Sequence, residues 1–406
     1  METLVLGLLA LAGLAFLYRV WTCTLSKITP SPRQTDQEPG AEPEPAPVTK
    51  EPDIPPDWFT SNRIFSLETR AIFSKTWIPL TTTTHFPAPG TYHTHNLAGI
   101  PIVLILGKDH ALRAFHNVCR HRAYPVARRE SGTATVLACR YHGWSYNSLG
   151  RLIRAPHFDG VEGFERGENG LFEVGVWVEG VDGVGVVWVN LGVGEVLDLD
   201  LGRLRGVGRR NGMGSGCDWV GGGTLEGVFN WKWALRTRLL EDALGLNEIP
   251  SRSFMQDILG SFHRKPESMY LFPNMFLFSI PRSRGWFSLS FLPTSERITS
   301  IRYDLCRSGN VQDEAALTNL EDKLRSVISR LETEYQSVND PSCILADLDS
   351  KSLDIQKHIL SFVKTHAKLE KSHGAQIHPA KREPRMNARY EQAEQRSCYL
   401  YLYTGS

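Results

Sequence analysis

From Trp58 onward, apolar residues gather into short blocks of strand length, divided by glycine, proline and polar turns. Residues 65–80 predict a short helix running into a strand. Pro101-Ile102-Val103-Leu104-Ile105-Leu106 predicts a buried strand, closed by the turn Gly107-Lys108-Asp109. Valines and tryptophans in residues 172–191 flank Gly180-Val181-Asp182-Gly183 and predict a β-hairpin. Residues 192–223 are glycine-rich without a repeat and predict an irregular connection. They contain no Gly-x-Gly-x-x-Gly, so no nucleotide-binding turn is expected there. Strand blocks return at 270–272, 275–278, 286–292 and 298–305. Two stripes at helical spacing follow: Leu317, Leu320, Leu324, Val327, Ile328, Leu331 and Tyr335, then Ile355, Ile359, Phe362, Val363 and His366. The pattern is that of an α+β protein, mostly antiparallel strands first and long helices late.

The two ends differ from this globular middle. Residues 3–18 are uncharged and rich in Leu, Ala and Gly. With Arg19 snorkelling and Val20, Trp21, Thr22 and Leu25 beyond it, residues 1–27 approach the length of a membrane-spanning helix. Arg19, Lys27 and Arg33 place positive charge on the C-terminal side. The expectation is therefore a single-pass N-terminal anchor with the bulk of the chain cytosolic. Residues 28–56 hold nine prolines among acidic residues and predict an extended, stiff linker. Residues 381–406 form a polar tail.

Composition narrows the function classes. The 406 residues suffice for two domains, and 41% hydrophobic with 22% charged residues is globular. A net charge of +1 gives no nucleic-acid footprint. Seven cysteines, mostly far apart, predict no disulfide framework and a reducing compartment.

Chemistry concentrates in one segment. Cys119-Arg120-His121 is followed after seventeen residues by Cys139-Arg140-Tyr141-His142, so each half supplies one thiolate and one imidazole. Two thiolates on one iron and two imidazoles on the other make a Rieske [2Fe–2S] ligand set, with a raised and pH-dependent potential. A Cys2His2 zinc site uses the same residue types, although Cys-x-His is not the usual zinc-finger spacing. Gly143-Trp144-Ser145-Tyr146, Gly150 and Pro156 extend the motif. Trp144 and Tyr146 are expected to cover the site, and His116 and His157 to pack beside it. His85, His93 and His95 fall in a Thr/Pro/Gly-rich stretch expected to be loop.

This extended string resembles the cluster loops of the Rieske non-haem iron oxygenase α-subunits, the aromatic-ring-hydroxylating and choline monooxygenase-like family. So do Ile64-Phe65-Ser66-Leu67-Glu68 with Ile72, Phe73 and Trp77, the run Phe115-His116-Asn117-Val118, Trp188-Val189-Asn190-Leu191, and Phe229-Asn230-Trp231-Lys232. The resemblance implies a mostly antiparallel-β Rieske domain at 57–195 and an α+β, helix-grip-like catalytic-type domain at 224–380. It also implies a separate flavin- or ferredoxin-type reductase, a small organic substrate such as an amine, and a mononuclear Fe(II). A homo-oligomer is a further expectation.

In that family Asn-Trp-Lys leads to an acidic residue and two histidines that bind the mononuclear iron. Here Glu241 and Asp242 stand at the acidic place, but Leu244 falls near the first histidine, and none occurs between His157 and His263. The mononuclear site is therefore expected to be degenerate, with Glu241 and Asp242 as its remaining candidates. Glu370-x-x-His373 with His378 repeats the spacing much later, at the end of a helix that Gly374 should close. It is a second candidate metal site. Lone His263 and His358 are expected to serve as surface or core residues.

Overall fold

In a computed structural model the described residues are 54–158, 160–192, 200–214, 216–246, 266–280, 285–309, 314–337 and 348–378. The expected anchor at 1–27, nearly all of the linker at 28–56, the tail at 381–406 and His263 lie outside them. No described helix is long and apolar enough to cross a membrane.

A first helix, α1 (Asn62–Glu68), starts where the Ser61 side chain accepts from the Ile64 amide, and a π-turn (Thr69–Phe73) extends it. Ten strands follow: β1 (Ile78–Thr82), β2 (Thr91–Leu97), β3 (Ile100–Leu106), β4 (Leu112–His116), β5 (Ser131–Thr133), β6 (Val136–Ala138), β7 (Ser145–Asn147), β8 (Leu152–Arg154), β9 (Glu173–Val181) and β10 (Val184–Asn190). Seven of them form an antiparallel sheet in the order β1-β10-β9-β4-β3-β2-β5, and β6-β7-β8 form a small separate sheet. The β9–β10 hairpin turns on Asp182 (φ 48°) and Gly183 (φ 83°), the left-handed pair that a two-residue turn requires.

The second half contains α2 (Leu201–Arg210), β11 (Cys217–Gly227), α3 (Thr237–Ala243), β12 (Ser268–Leu271), β13 (Met275–Ser279), β14 (Gly285–Pro293), β15 (Thr299–Ser308), α4 (Glu314–Ser337) and α5 (Ser350–His373). Its sheet runs β11-β15-β14-β13-β12. Most of the predicted stripes of α4 and α5 lies in the main core, with Leu331 and Ile359 fully enclosed, while Leu317, Tyr335 and Phe362 pack against it half-buried.

Two expectations need correction. The glycine-rich stretch 192–223 is not irregular, because it contributes α2 and most of β11. Its glycines answer close packing: a Cβ on Gly221 would stand 2.4 Å from the Leu317 side chain of α4, and one on Gly222 would stand 2.4 Å from the Tyr303 carbonyl. His93 and His95 are not in a loop but lie two apart on β2, sharing one strand face. His85, in a 3-10 turn, pairs with Asp304 of β15 at 2.8 Å, and Arg302 bonds the same carboxylate at 3.1 Å. The opening segment of the described chain packs on the C-terminal helix. Arg70 grips Glu370 of α5, and Trp58 donates to Gln356 of α5 at 2.8 Å.

Candidate functional site

The first site loop leaves β4 and is shaped by Asn117, whose side chain is buried. Its Oδ1 accepts from the Val126 and Ala127 amides (3.1 and 2.8 Å), and its Nδ2 donates to the Ala127 carbonyl at 2.7 Å. One side chain thereby closes the loop that carries Cys119 and His121. The second loop joins β6 to β7, where the Cys139 amide bonds the Trp144 carbonyl and the Gly143 amide bonds the Cys139 carbonyl. Gly143 sits at φ 73°, the left-handed conformation this tight turn requires.

The two loops bring all four predicted residues together. Cys119 and Cys139 are buried free thiols in hydrogen-bond contact with one another. The His121 and His142 rings stand 4.6 Å apart at 76°. The Cys139 thiol is pulled down to about 6 by its bond with Cys119, while that same bond and burial push Cys119 up. Burial, then the neighbouring His142 and Arg122, lower His121 to about 4; burial and Arg122 lower His142 too. Metal ligation demands two thiolates and two neutral imidazoles; the imidazoles meet that demand, whereas ligand binding would have to release the proton held on Cys119.

Aromatic rings enclose the group, as the sequence led us to expect. Trp144 stacks on His121 (5.1 Å, 11°), and Phe158 meets both edge-on. The Tyr146 hydroxyl accepts from the Arg120 amide at 3.1 Å and lies 3.5 Å from the Cys119 sulfur. His116 packs edge-to-face on Phe172, and His157 is exposed at φ 67°. The roles of Asn117 and of the Tyr146 hydroxyl were missed in the sequence. A polar residue ending an apolar strand just before Cys119 was the available signal.

A [2Fe–2S] cluster fits this donor set, since each iron needs only two protein ligands. A zinc ion would need three or four donors converging on one point. No group of three His, Cys, Asp or Glu among the described residues is placed to hold a single metal ion. Tyr146→Phe tests the fit. Losing a hydrogen bond of about 1 kcal/mol to the Cys119 sulfur should make the potential more negative by roughly 40 mV for one electron, with cluster absorbance retained. A potential equal to that of the unaltered protein would show that the hydroxyl does not reach the cluster.

The other candidates are not assembled. Glu241 on α3 accepts from the Ser268 hydroxyl, Asp242 is exposed and pairs with Arg238 at 3.8 Å, and Leu244 is buried. No histidine lies on α3, so the described residues do not fit a mononuclear iron there. At the second candidate, Glu370 is occupied by Arg70 (2.6 and 3.0 Å), the Ile377 amide and His366, and its carboxyl is held down at about 2, chiefly by Arg70. His373 turns back to the Leu369 carbonyl and His378 to Gln376. Gly374 closes α5 at φ 67°, and Glu370 is a structural anchor rather than a ligand.

Residues 76–165 match the Rieske [2Fe-2S] domain family. The glycine betaine monooxygenase oxygenase subunit of Chromohalobacter salexigens is 37% identical over 123 residues, 30% of this chain and 27% of the relative. The carnitine monooxygenase oxygenase subunit of Acinetobacter baumannii is 36% identical over 118 residues, 29% of this chain and 32% of the relative. Benzene 1,2-dioxygenase subunit alpha of Pseudomonas putida is 36% identical over 104 residues, 26% and 23% of the two chains. The matches span less than a third of those relatives' length. The structure of a quaternary ammonium Rieske monooxygenase with γ-butyrobetaine superposes with a TM-score of 0.61 at 21% identity, covering 78% of this chain and 96% of the other, a likeness of fold. This chain therefore carries a Rieske [2Fe–2S] domain within the fold of the Rieske oxygenases.

Proposed function

We propose that the chain is a Rieske oxidoreductase related in kind to the quaternary ammonium monooxygenases. Cys119, Cys139, His121 and His142 would hold the [2Fe–2S] cluster, which supplies one-electron redox chemistry when bound. The carrying observation is the buried thiol pair and the imidazole pair brought together by two loops. Around them, Asn117 fixes the first loop, Trp144 and Phe158 keep water from His121, and Tyr146 presents its hydroxyl to Cys119. No flavin or nicotinamide turn is visible in the sequence, so electrons would come singly from a separate reductase. In this reading they drive oxygen-dependent oxidation of a small amine. What supports that substrate class is that relatives of the matched segment are glycine betaine and carnitine monooxygenase oxygenase subunits.

A second reading is favoured by α3, where Leu244 and the lack of histidine leave no mononuclear iron site among the described residues. The protein is then a Rieske electron-transfer or binding protein. Iron determination on freshly reconstituted full-length protein separates the two. On the second reading the count is about two irons per chain with no amine-stimulated oxygen uptake, the cluster alone supplying both irons. A reproducible count of about three, with uptake on glycine betaine or carnitine, would establish the oxygenase.

The apolar stretch 1–27 motivates membrane tethering. Full-length protein is expected to pellet with membranes, and a chain beginning at Asp57 to remain in the supernatant. Identical partitioning of the two would remove the anchor.

A further inference from the structure

Two thiols outside the site loops meet across the second sheet. Cys217 opens β11 and Cys306 lies near the end of β15, both buried and both free. In the antiparallel register Cys217 stands opposite Ser308, and Cys306 stands opposite Trp219. The two cysteines are therefore diagonal neighbours on one face of the sheet, and their thiols are in hydrogen-bond contact. Trp286 of β14 lies opposite Cys306, and the Thr84 hydroxyl is 3.7 Å from the Cys306 sulfur. Met213, Met269 and Met275 belong to the same apolar cluster.

The two thiols differ in access and in acidity. Cys217 lines a cavity of about 470 Å3 with Thr83, Val184, Asp218 and Trp219, whose ring is 44% exposed, whereas Cys306 is wholly enclosed. The bond with Cys306 draws the Cys217 thiol below the ordinary range, against the opposing effect of burial. The same bond, and then burial, pushes Cys306 well above it. One sulfur is thus the readier nucleophile and faces a small-molecule entry, with a second sulfur held behind it. A cysteine buried only for packing needs no such partner. Diagonal strand neighbours stand about 7–8 Å apart between Cα atoms, just past the reach of an unstrained disulfide. Closing the bond must draw β11 and β15 together, and strained disulfides of this kind are the ones that thiols readily reduce again.

We propose that Cys217 and Cys306 are an oxidisable pair, which hydrogen peroxide entering the cavity beside Cys217 closes to a reversible cross-strand disulfide. The Cys217 sulfur attacks one peroxide oxygen and the O–O bond breaks, giving a sulfenic acid and one water. The Cys306 sulfur then attacks the sulfenic sulfur, forming the S–S bond and releasing the second oxygen as water. In sum two thiols lose two electrons and two protons, and one peroxide becomes two waters. A dithiol reverses the change by exchange and becomes a disulfide itself. Neither cysteine belongs to the loops that carry Cys119 and Cys139, so the reaction does not require the cluster.

The test treats full-length, cluster-loaded protein with hydrogen peroxide in about tenfold excess, for a time over which far-ultraviolet circular dichroism stays constant. The protein is then denatured in N-ethylmaleimide, digested without reductant and mapped by mass spectrometry. Peptides carrying Cys217 and Cys306 should appear linked in most chains, and dithiothreitol given before denaturation should restore both as free thiols. Cys306→Ser should halt the reaction at a Cys217 sulfenic acid that dimedone traps. Cys217→Ser should slow oxidation of Cys306 by about tenfold or more, since the enclosed thiol then meets peroxide alone. The map of the unaltered protein decides even if a variant fails to fold. Recovery of both cysteines as full maleimide adducts would overturn the pair and leave two inert core thiols. Cys217 linked to any cysteine other than Cys306, or oxidised beyond the sulfenic acid without a link, would overturn it too.

Discussion

Cys139→Ala is expected to yield a colourless protein, and His142→Cys one whose midpoint potential falls by on the order of a hundred millivolts or more. The two substitutions act on different halves of the site. Cys139 is the thiol held low, at about 6, by its bond with Cys119, so its removal takes away the sulfur most ready to ionise and leaves Cys119 without its partner. His142 is a buried imidazole that burial and Arg122 keep neutral. A third negative thiolate in its place stabilises the oxidised cluster, and imidazole ligation is what raises a Rieske potential above that of an all-thiolate centre. Visible absorbance and the low-g signal of the reduced protein report loading, and spectroelectrochemical titration reports the potential. An unchanged potential in loaded His142→Cys would remove His142 from the ligand set. Colourless wild-type protein containing stoichiometric zinc would end the cluster reading altogether.

The site was legible in the sequence because its chemistry is written at short range. Four ligand-type residues in two tight loops, each followed by small or aromatic neighbours, declare themselves by type and spacing. The strands were legible for a similar reason: apolar blocks such as 102–105 and 285–293 are buried in sheets. What stayed hidden depends on distance along the chain. Gly221 and Gly222 read as flexible until Leu317 and Tyr303, roughly eighty residues or more away, are seen pressing on them. His85 reads as a loop residue because its partners, Asp304 and Arg302, lie on a strand of the second sheet, and His93 in turn bonds the His85 carbonyl. The spacing at Glu370, His373 and His378 misled for the opposite reason. It copied a ligand arithmetic on a helix end, while the partner that matters, Arg70, comes from the start of the fold.

The motif Phe229-Asn230-Trp231-Lys232 shows most sharply how a family-like string conceals a structural role, and it yields the largest stability effect expected here. Asn230 accepts from the Lys232 amide and opens a 3-10 turn (Trp231–Ala234), which aims two side chains at one carboxylate. Trp231 Nε1 donates to Glu68 Oε2 at 2.9 Å, and the Lys232 ammonium pairs with Glu68 Oε1, both charged side chains being wholly enclosed. Trp58 covers the ammonium, 4.2 Å from its ring centre, and donates to Gln356, whose amide returns a bond to the Lys232 carbonyl. Burial pushes the Glu68 carboxyl up and the Lys232 ammonium down, each held back by the other's charge. Such a pair contributes little net, yet breaking it strands a charge. Glu68→Ala should therefore cost about 3–5 kcal/mol, read as a lower urea midpoint, because Lys232 and Trp231 both lose their partner. Glu68→Gln with Lys232→Met should recover most of that loss, since the glutamine still accepts from Trp231 and no charge remains. The pH dependence carries a second signature. Without Glu68 the folded state lowers the Lys232 pKa further, so the unfolded chain binds the extra proton and stability rises with pH up to the ordinary lysine range. The deficit of Glu68→Ala should accordingly shrink as pH is raised, and that of the double variant should not. A Glu68→Ala protein that unfolds at the wild-type urea concentration at every pH would show that the pair does not hold this corner of the fold.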